Sequence, residues 1–261
     1  MPAQGVQIGA PLSISMEVLF VSEARAAMRA LVVAEGDVPR REALDAAWPG
    51  WDAGVSLIVA ADGGWDKAAS LGLRPDLLVG DADSLPEARF VALAAEGVPI
   101  ERSPTDKDES DTELALLAAI RRGATHVTVL GALGGKRFDH ALANVGLLSL
   151  PDPETVEVEL LDGATRVRLL RAPSAGGACG AAGATVSCAL TGQTGDLVSL
   201  LPLGVPAVGV TTDGLLYPLD DGTLPLGPAR GLSNVRIAAG ASVTLREGRL
   251  LVVETRTAKS A

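Results

Sequence analysis

Two aspartates stand two residues apart where an apolar run ends, in the segment Val79-Gly80-Asp81-Ala82-Asp83-Ser84. Side chains two apart on an extended segment point to the same side, so both carboxylates can reach one ion. Hard oxygen ligands at a strand end favour Mg²⁺. The alternative is a turn in which Asp83 or Ser84 caps a helix that begins at Pro86. We predict the metal site because further aspartates occupy similar positions.

Four more aspartates follow apolar runs or lie near predicted helix starts: Asp62, Asp108, Asp111 and Asp139. In an open parallel sheet the carboxyl ends of the strands share one edge, so residues distant in sequence converge on one crevice. A crevice rich in carboxylates repels anions unless a cation lies between them. Phosphate chemistry at this edge would therefore require a bound metal ion.

The polar segment 106–113 precedes an apolar helix. Ser110 with Glu113 fits the capping box S/T-x-x-E, and capping alone explains these two residues. The spacing of three residues predicts that Asp108 and Asp111 share one helical face beside Lys107. Such a cluster is typical of a functional site, although the helix dipole also favours aspartate at a helix start.

A glycine-rich loop, Gly131 to His140, joins a predicted strand to a predicted helix. Its glycines allow backbone amides to approach phosphate oxygens at the helix N-terminus. Lys136 and Arg137 can neutralise phosphate charge, and the alternative makes them solvated loop residues. The loop matches neither the Walker A pattern nor the dinucleotide fingerprint. For His140 on an apolar helix, a structural role is favoured over that of a base.

Short aliphatic runs alternate with amphipathic segments between residues 30 and 161, which predicts an α/β fold with a parallel sheet. The predicted strands are 30–33, 57–60, 77–79, 127–130 and 156–161, and the predicted helices are 40–48, 65–71, 86–96, 111–122 and 138–148. From about residue 164 the helical period disappears and short strands follow one another between Gly and Pro turns. Residues 243–253 predict a hairpin that turns at Glu247-Gly248. We therefore divide the chain into an N-terminal extension (1–26), an α/β domain (27–163) and an all-β domain (164–261).

The composition argues against several classes of partner. A net charge of −10 and a pI near 4.7 argue against nucleic acid and anionic membranes, because no Lys/Arg-rich stretch offsets the acidic balance. Cys179 and Cys188 have no neighbouring Cys or His to complete a zinc site, and we interpret them as reduced packing residues of a cytoplasmic protein. Glu17 interrupts the only hydrophobic stretch that could serve as a signal peptide. The uncharged segment 172–195 is too rich in Gly, Ser and Thr to span a bilayer.

Four segments taken together closely resemble the motif set of the thiamine pyrophosphokinase family. They are Ala61-Asp62-Gly63-Gly64, the run from Arg74 to Ser84, the run from Asp106 to Glu113, and the loop from Gly131 to His140. In the β region, Gly231-Leu232-Ser233-Asn234 is similar to the family's thiamine-contacting motif. The resemblance covers about residues 28 to 254, in the family's order.

The resemblance implies an α/β nucleotide-binding domain followed by a β-sandwich, and a homodimer. It implies transfer of the pyrophosphoryl group of ATP to the hydroxyl group of thiamine, which yields thiamine diphosphate and AMP. The residues that match the family's Mg²⁺-associated aspartates are Asp81, Asp83 and Asp111; those that match its other active-site carboxylates are Asp62 and Asp139; those that match thiamine contacts are Ser233 and Asn234. Tyr217 stands where members often carry a Trp against the pyrimidine ring, and Lys136 is an extra basic residue in its turn.

Lys107, Asp108, Ser110 and Arg137 are the predicted ATP contacts, with ATP as co-substrate and Mg²⁺ as cofactor. The sequence does not decide whether Asp62 or Asp139 orients or deprotonates the hydroxyl group. One alternative function is a pyrophosphokinase for another hydroxymethyl heterocycle such as a pterin. The other is a non-catalytic thiamine-binding dimer, which would have lost its metal aspartates. The thiamine-contacting residues and the complete set of aspartates favour the thiamine enzyme.

Overall fold

The computed structural model describes residues 27–80, 87–104, 106–150, 156–172 and 185–257. The predicted metal ligands Asp81 and Asp83, the cysteine Cys179 and the extension 1–26 lie outside the described residues. In the part of the chain that the structure describes, no helix is both long and apolar enough to cross a membrane.

The first half alternates strands and helices as the aliphatic and amphipathic runs predict. In chain order it contains β1 (Arg29–Val33), α1 (Arg41–Ala47), β2 (Val55–Ala61), α2 (Gly64–Ser70), β3 (Leu77–Gly80), α3 (Glu87–Ala95), β4 (Ile100–Arg102), α4 (Asp111–Arg121), β5 (His126–Leu130), α5 (Phe138–Leu147) and β6 (Glu157–Asp162). Each predicted strand and helix is present to within two residues at its ends. Strand β4 was not predicted because its three residues include a single apolar side chain.

Six strands of this half pair in parallel, in the order β4-β3-β2-β1-β5-β6. The chain builds outward from β1 to β4 and then returns to the other side of β1 with β5. The strand order therefore reverses between β1 and β5. In such sheets, ligands bind in the crevice outside the carboxyl ends of the strands at the point of reversal.

Both faces of the parallel sheet are buried, which explains why its strands are continuous apolar runs rather than alternating ones. On one face, Val32 and Val129 pack with Leu116 of α4. On the other face, Leu31 packs with Leu44 of α1. The helices on the two faces leave the strand ends as the accessible part of this half.

The second half is all β and contains β7 (Thr165–Arg171), β8 (Val186–Ala189), β9 (Leu197–Pro202), β10 (Ala207–Asp213), β11 (Gly222–Leu224), β12 (Asn234–Val235), β13 (Ser242–Leu245) and β14 (Arg249–Thr255). Four of its strands extend the parallel sheet by antiparallel pairing in the order β6-β7-β14-β9-β12, which gives ten strands in all. The other four form a separate antiparallel sheet, β11-β10-β13-β8. The two layers share a core that includes Leu200, Val243 and Val252.

These observations confirm the predicted fold class, an α/β region followed by a β-sandwich. The predicted boundary at residues 163 and 164 lies in the turn from β6 to β7. Because these two strands pair with each other, the ten-stranded sheet continues from one region into the other. The β-sandwich therefore shares a layer with the α/β region rather than standing apart from it.

The predicted hairpin at Glu247-Gly248 is wrong. The chain does turn there, but β13 pairs with β10 and β8, whereas β14 pairs with β7 and β9. The reason lies in the run of four apolar residues, Leu250 to Val253, that follows Arg249 in β14. Leu250 and Val252 face the core of the sandwich, while Leu251 faces the core of the α/β region. A strand that is apolar on both faces belongs inside a layered structure and not in a one-sided hairpin.

Candidate active site

The loops after β1 and β5 meet where the strand order reverses. A Cβ atom on Gly36 would lie 2.2 Å from the carbonyl oxygen of Gly131, and one on Gly134 would lie 2.7 Å from the carbonyl oxygen of Asp37. Glycine is required at these positions because the two backbones approach more closely than a side chain allows. The glycine-rich loop that was predicted to approach phosphate thus also packs against the loop after β1.

Asp62 lies directly after β2, beside the end of β3. It is 3% exposed, and its φ of 44° is in the left-handed region, where Asp and Asn are enriched among non-glycine residues. Its amide donates a hydrogen bond to the carbonyl oxygen of Val79 at 3.0 Å. A Cβ atom on Gly80 would lie 1.7 Å from the Oδ1 atom of Asp62. The structure therefore places this carboxylate against the residue that precedes Asp81.

Lys107 links the end of β4 to the start of α4. Its Nζ atom donates to Oδ1 of Asp111 at 2.5 Å and to Oγ of Ser103 at 2.8 Å. The lysine side chain is 10% exposed and the Asp111 side chain is 30% exposed. Since water screens this pair poorly, the two opposite charges attract each other strongly. The predicted association of Lys107 with Asp111 is present in the structure.

Asp108 does not share a helical face with Asp111, and that prediction is wrong. Helix α4 begins at Asp111, and Ser110 before it has an extended backbone with φ −76° and ψ 156°. The Oγ atom of Ser110 accepts a hydrogen bond from the amide of Glu113 at 3.1 Å, as the capping box predicts. This cap stops the helix short of Asp108, whose side chain is exposed.

Arg137 and Asp139 form a bidentate salt bridge at the start of α5. Nε of the arginine donates to Oδ1 at 2.9 Å, and a terminal nitrogen donates to Oδ2 at 2.5 Å. The hydrogen bonds from Arg137 hold the pKa of the Asp139 carboxyl well below its ordinary value, with help from backbone amides at the helix start. Both side chains are exposed, so the pair faces solvent at the carboxyl edge of the sheet.

Three polar residues at this edge were not predicted. Glu35 and Asp37 follow β1, and the Cγ atom of Glu35 would lie 2.9 Å from a Cβ atom on Gly63, next to Asp62. They follow a buried strand just as Asp62 does, so the same pattern could have found them. Asn144 is buried in α5 and donates from Nδ2 to the carbonyl oxygen of Ala132 at 2.9 Å. No sequence pattern signals that contact, which ties α5 to the glycine-rich loop.

A second cluster lies in the β region, where the structure brings together Tyr217, Ser233 and Asn234. The tyrosine side chain is 65% exposed. Ser233 has a left-handed φ of 55°, and its amide donates to Oγ of Ser199 at 3.0 Å. Asn234 is 7% exposed and its amide group is hydrogen-bonded to the backbone of Tyr217. The three predicted thiamine contacts are therefore neighbours.

The two clusters lie at the same edge of the ten-stranded sheet but far apart along it. Asn234 pairs with Val198, and the register continues through β14, β7 and β6 to Leu130 and Val33, the last residues of β5 and β1. Eight strand spacings separate β12 from β3. At about 4.8 Å per spacing this is roughly 38 Å along the sheet.

Two family models match the chain, one on each side of the β6–β7 turn. The model described as thiamin pyrophosphokinase, catalytic domain, matches residues 51–160, and the model described as thiamin pyrophosphokinase, vitamin B1 binding domain, matches residues 184–250. Together they cover more than half of the chain. The chain belongs to the thiamin pyrophosphokinase family. The resemblance drawn from the motifs is thereby confirmed, and the chain is an enzyme of this family.

Thiamin pyrophosphokinases from distant organisms are similar to the chain over most of its length. Thiamine pyrophosphokinase of Bacillus subtilis (strain 168) is 23% identical over 202 residues, which covers 77% of this chain and 87% of that protein. Thiamine pyrophosphokinase 1 of Oryza sativa subsp. japonica is 27% identical over 212 residues, which covers 71% and 73%. The crystal structure of the Bacillus subtilis protein superposes with a TM-score of 0.71 at 22% identity and covers 88% of this chain and 100% of that one. The fold is therefore shared.

One of the three predicted metal ligands lies among the described residues. Among residues 27–80, 87–104, 106–150, 156–172 and 185–257, no three His, Cys, Asp or Glu side chains lie close enough to hold a metal ion. Of the predicted ligands, Asp111 is described, and Asp81 and Asp83 follow the described end of β3. The catalytic-domain match includes all three residues. The metal site stays a prediction.

Proposed function

We propose that this chain transfers the pyrophosphoryl group of ATP to the hydroxyl group of thiamine, which gives thiamine diphosphate and AMP. The observation that carries the proposal is the match of a catalytic-domain model before the β6–β7 turn and a vitamin B1-binding model after it. The curated relatives from a bacterium and a plant are both named for this activity.

In this reaction the hydroxyl oxygen of thiamine forms a bond to the β-phosphorus of ATP. The bond from that phosphorus to the oxygen bridging the α- and β-phosphates breaks, the hydroxyl proton is released and AMP leaves. Such a transfer needs alignment and neutralised charge more than covalent work by the protein. Lys107 and Arg137 provide positive charge at the carboxyl edge, and Asp108 and Ser110 lie beside Lys107 as further ATP contacts.

We assign the proton acceptor to Asp62 rather than to Asp139. The hydrogen bonds from Arg137 keep the pKa of Asp139 far below its ordinary value, so its carboxylate is a poor base near neutral pH. Asp62 is nearly buried and lies against Gly80, which precedes the predicted metal ligand Asp81 in the sequence. In this arrangement Asp139 sets the direction of the Arg137 guanidinium group, and Asp62 takes the proton.

We assign Mg²⁺ to Asp81, Asp83 and Asp111. The Oδ1 atom of Asp111 is bonded to Lys107, and no described residue donates to its Oδ2 atom, so one carboxylate oxygen is open to a cation. Carboxylate oxygens are the ligands that Mg²⁺ prefers. When bound there, the ion would neutralise triphosphate charge and hold the reacting group in line.

The enzyme acts as a homodimer in which the β region of one copy completes the site of the other. The support is the roughly 38 Å that separates β12 from β3 along one sheet, because thiamine is far shorter than that distance. Both clusters lie at the same sheet edge, so a twofold arrangement can set each Tyr217 against the carboxylates of the other copy.

A cytoplasmic location fits the cysteine chemistry. Cys188 is a free thiol, and burial raises its pKa, which keeps it protonated and unreactive. A reducing compartment preserves such a thiol.

The test is product analysis with purified protein, ATP and Mg²⁺, with and without thiamine. AMP and thiamine diphosphate are expected in equal amounts, with no AMP when thiamine is left out, and EDTA is expected to abolish both products. Formation of ADP in place of AMP would contradict the reaction type. AMP formation with a hydroxymethyl pterin but not with thiamine would identify the other heterocycle as substrate, and thiamine binding without AMP would identify a non-catalytic binding protein.

A further inference from the structure

We propose that Asn234 is a positioning residue, whose side-chain amide fixes the backbone of Tyr217 so that the tyrosine ring is held ready to stack on the pyrimidine ring of thiamine. The inference rests on the proposed function, since it concerns the same acceptor site. It gives Asn234 a different role from the direct thiamine contact that the sequence motif implies.

The first observation is an interrupted pairing of backbone segments. Residues 214–216 and 235–237 pair as short antiparallel segments, with amide-to-carbonyl distances of 2.9 and 2.8 Å. One step further, the same register would set Tyr217 opposite Asn234. That position would be a non-hydrogen-bonded pair, because Leu216 and Val235 occupy the hydrogen-bonded one. The backbone of Asn234 is directed towards Val198 in β9, so the Tyr217 backbone needs a partner other than the backbone of Asn234.

The side chain of Asn234 supplies that partner. Its Oδ1 atom accepts from the amide of Tyr217 at 3.0 Å, and its Nδ2 atom donates to the carbonyl oxygen of Tyr217 at 2.7 Å. These two bonds engage both the donor and the acceptor of the Tyr217 backbone. Oδ1 also accepts from the amide of Val235 at 2.9 Å, which sets the orientation, because a flipped amide would turn its NH₂ group towards two donors.

The ring depends on this backbone contact because it is not packed into the core. Tyr217 is 65% exposed. The residue that follows it is Pro218, which restricts the backbone of Tyr217. Beyond the proline, the amide of Leu219 donates to Oγ1 of Thr212 at 2.9 Å. The segment is thus anchored on both sides of the ring, and a ring ordered in advance loses less freedom when a ligand binds.

Kinetics of Asn234→Ala and the isosteric Asn234→Asp test the role. We expect each variant to raise the thiamine KM about 10-fold while kcat and the ATP KM change less than about 2-fold, because stacking is weakened and the phosphate edge is untouched. Val243→Ala is the matched control, since it truncates the core of the same sandwich and leaves Asn234 with its two hydrogen bonds to Tyr217 in the chain. It should lower the melting temperature and leave the thiamine KM unchanged. An equal rise in the thiamine KM of the control would show that Asn234 acts only through the stability of the sandwich, which would contradict the proposal.

A double-mutant cycle separates positioning from direct contact. If Asn234 acts through the ring, adding Asn234→Ala to Tyr217→Ala changes the thiamine KM by less than about 2-fold beyond the single Tyr217 variant. If Asn234 touches thiamine itself, the two effects, each about 10-fold, multiply to about 100-fold. Multiplication would overturn the proposal.

Fluorine NMR reads the position of the ring without turnover, because Tyr217 is the single tyrosine of the chain. Protein labelled with 3-fluorotyrosine should give one narrow resonance, which broadens or splits in Asn234→Ala and stays unchanged in Val243→Ala. An unchanged resonance in Asn234→Ala would refute the positioning role. If the wild-type protein made no thiamine diphosphate, the proposed function would fail, while these spectra would still decide whether Asn234 fixes Tyr217.

Discussion

At the scale of single residues, the two candidate bases differ in their burial and in their neighbours. Asp139 is exposed and paired with Arg137, whereas Asp62 is buried against Gly80. Asp62→Asn keeps the shape and tolerates the left-handed backbone, so we expect a nearly unchanged melting temperature. Its kcat should fall about 100-fold or more, the range of a lost general base. Asp139→Asn should instead raise the ATP KM by about 10-fold, because Arg137 loses its orientation while the base remains. Steady-state kinetics measure both.

The pH dependence of kcat is the control for this assignment. Because the pKa of Asp139 is depressed, its carboxylate stays ionised through the neutral range, so the acid limb of the profile belongs to another group. The limb should persist in Asp139→Asn and be absent from the residual activity of Asp62→Asn. The opposite result would assign the base to Asp139.

At the scale of elements, a buried ion cluster joins β14 to β7. Glu254 is 2% exposed on its side chain and accepts hydrogen bonds from Arg166 and Arg168, each at 2.7 Å. Burial raises the pKa of Glu254, but the charges of Arg168 and Arg166 lower it by more, so the net shift is below the ordinary value of 4.5. Glu254→Gln would leave two arginines without this counter-charge. We expect it to cost about 3 kcal/mol of unfolding free energy, measured by urea denaturation.

The sign of the pH effect follows from the lowered pKa. The contribution of Glu254 to stability is fully present above pH 4.5, its ordinary value, and is lost as the pH falls through the lower folded value. The wild-type protein should therefore lose this part of its stability on acidification, and Glu254→Gln should not. An equal acid sensitivity of the two proteins would show that other carboxylates set it.

The elements of the α/β region could be predicted because each strand is an apolar run buried on both faces, as Val32 and Leu31 of β1 illustrate. The sheet to which β14 belongs could not be predicted. Leu250 and Leu251 face different cores, and the two cores can be told apart only once both sheets have formed. The candidate site shows the same division. Asp62 follows a strand and could be found, whereas the contacts of Asn234 depend on pairing between residues distant in sequence.

At the scale of the whole molecule, a site shared between copies can be tested by complementation. Asp62→Asn disables the carboxylate edge and Tyr217→Ala weakens the acceptor cluster, so a mixed dimer would contain one site with neither change. Random exchange of subunits should restore about one quarter of wild-type activity at low thiamine concentration. A mixture of Asp62→Asn with Asp111→Asn is the matched control, because both changes fall on the same edge and no intact site can form. No gain over the separate variants in the first mixture would place the whole site within one chain.

The position of β14 also governs when the protein can finish folding. This strand follows all nine others of its sheet in the chain, yet it lies between β7 and β9. Strands β9 and β12 join the sheet only through it. During synthesis on the ribosome, the edge of β9 therefore stays open until Thr255 has emerged, although the six parallel strands are complete by Asp162. An unpaired strand edge of this kind promotes aggregation of nascent chains. We therefore expect chaperones to bind the C-terminal third of the chain during synthesis.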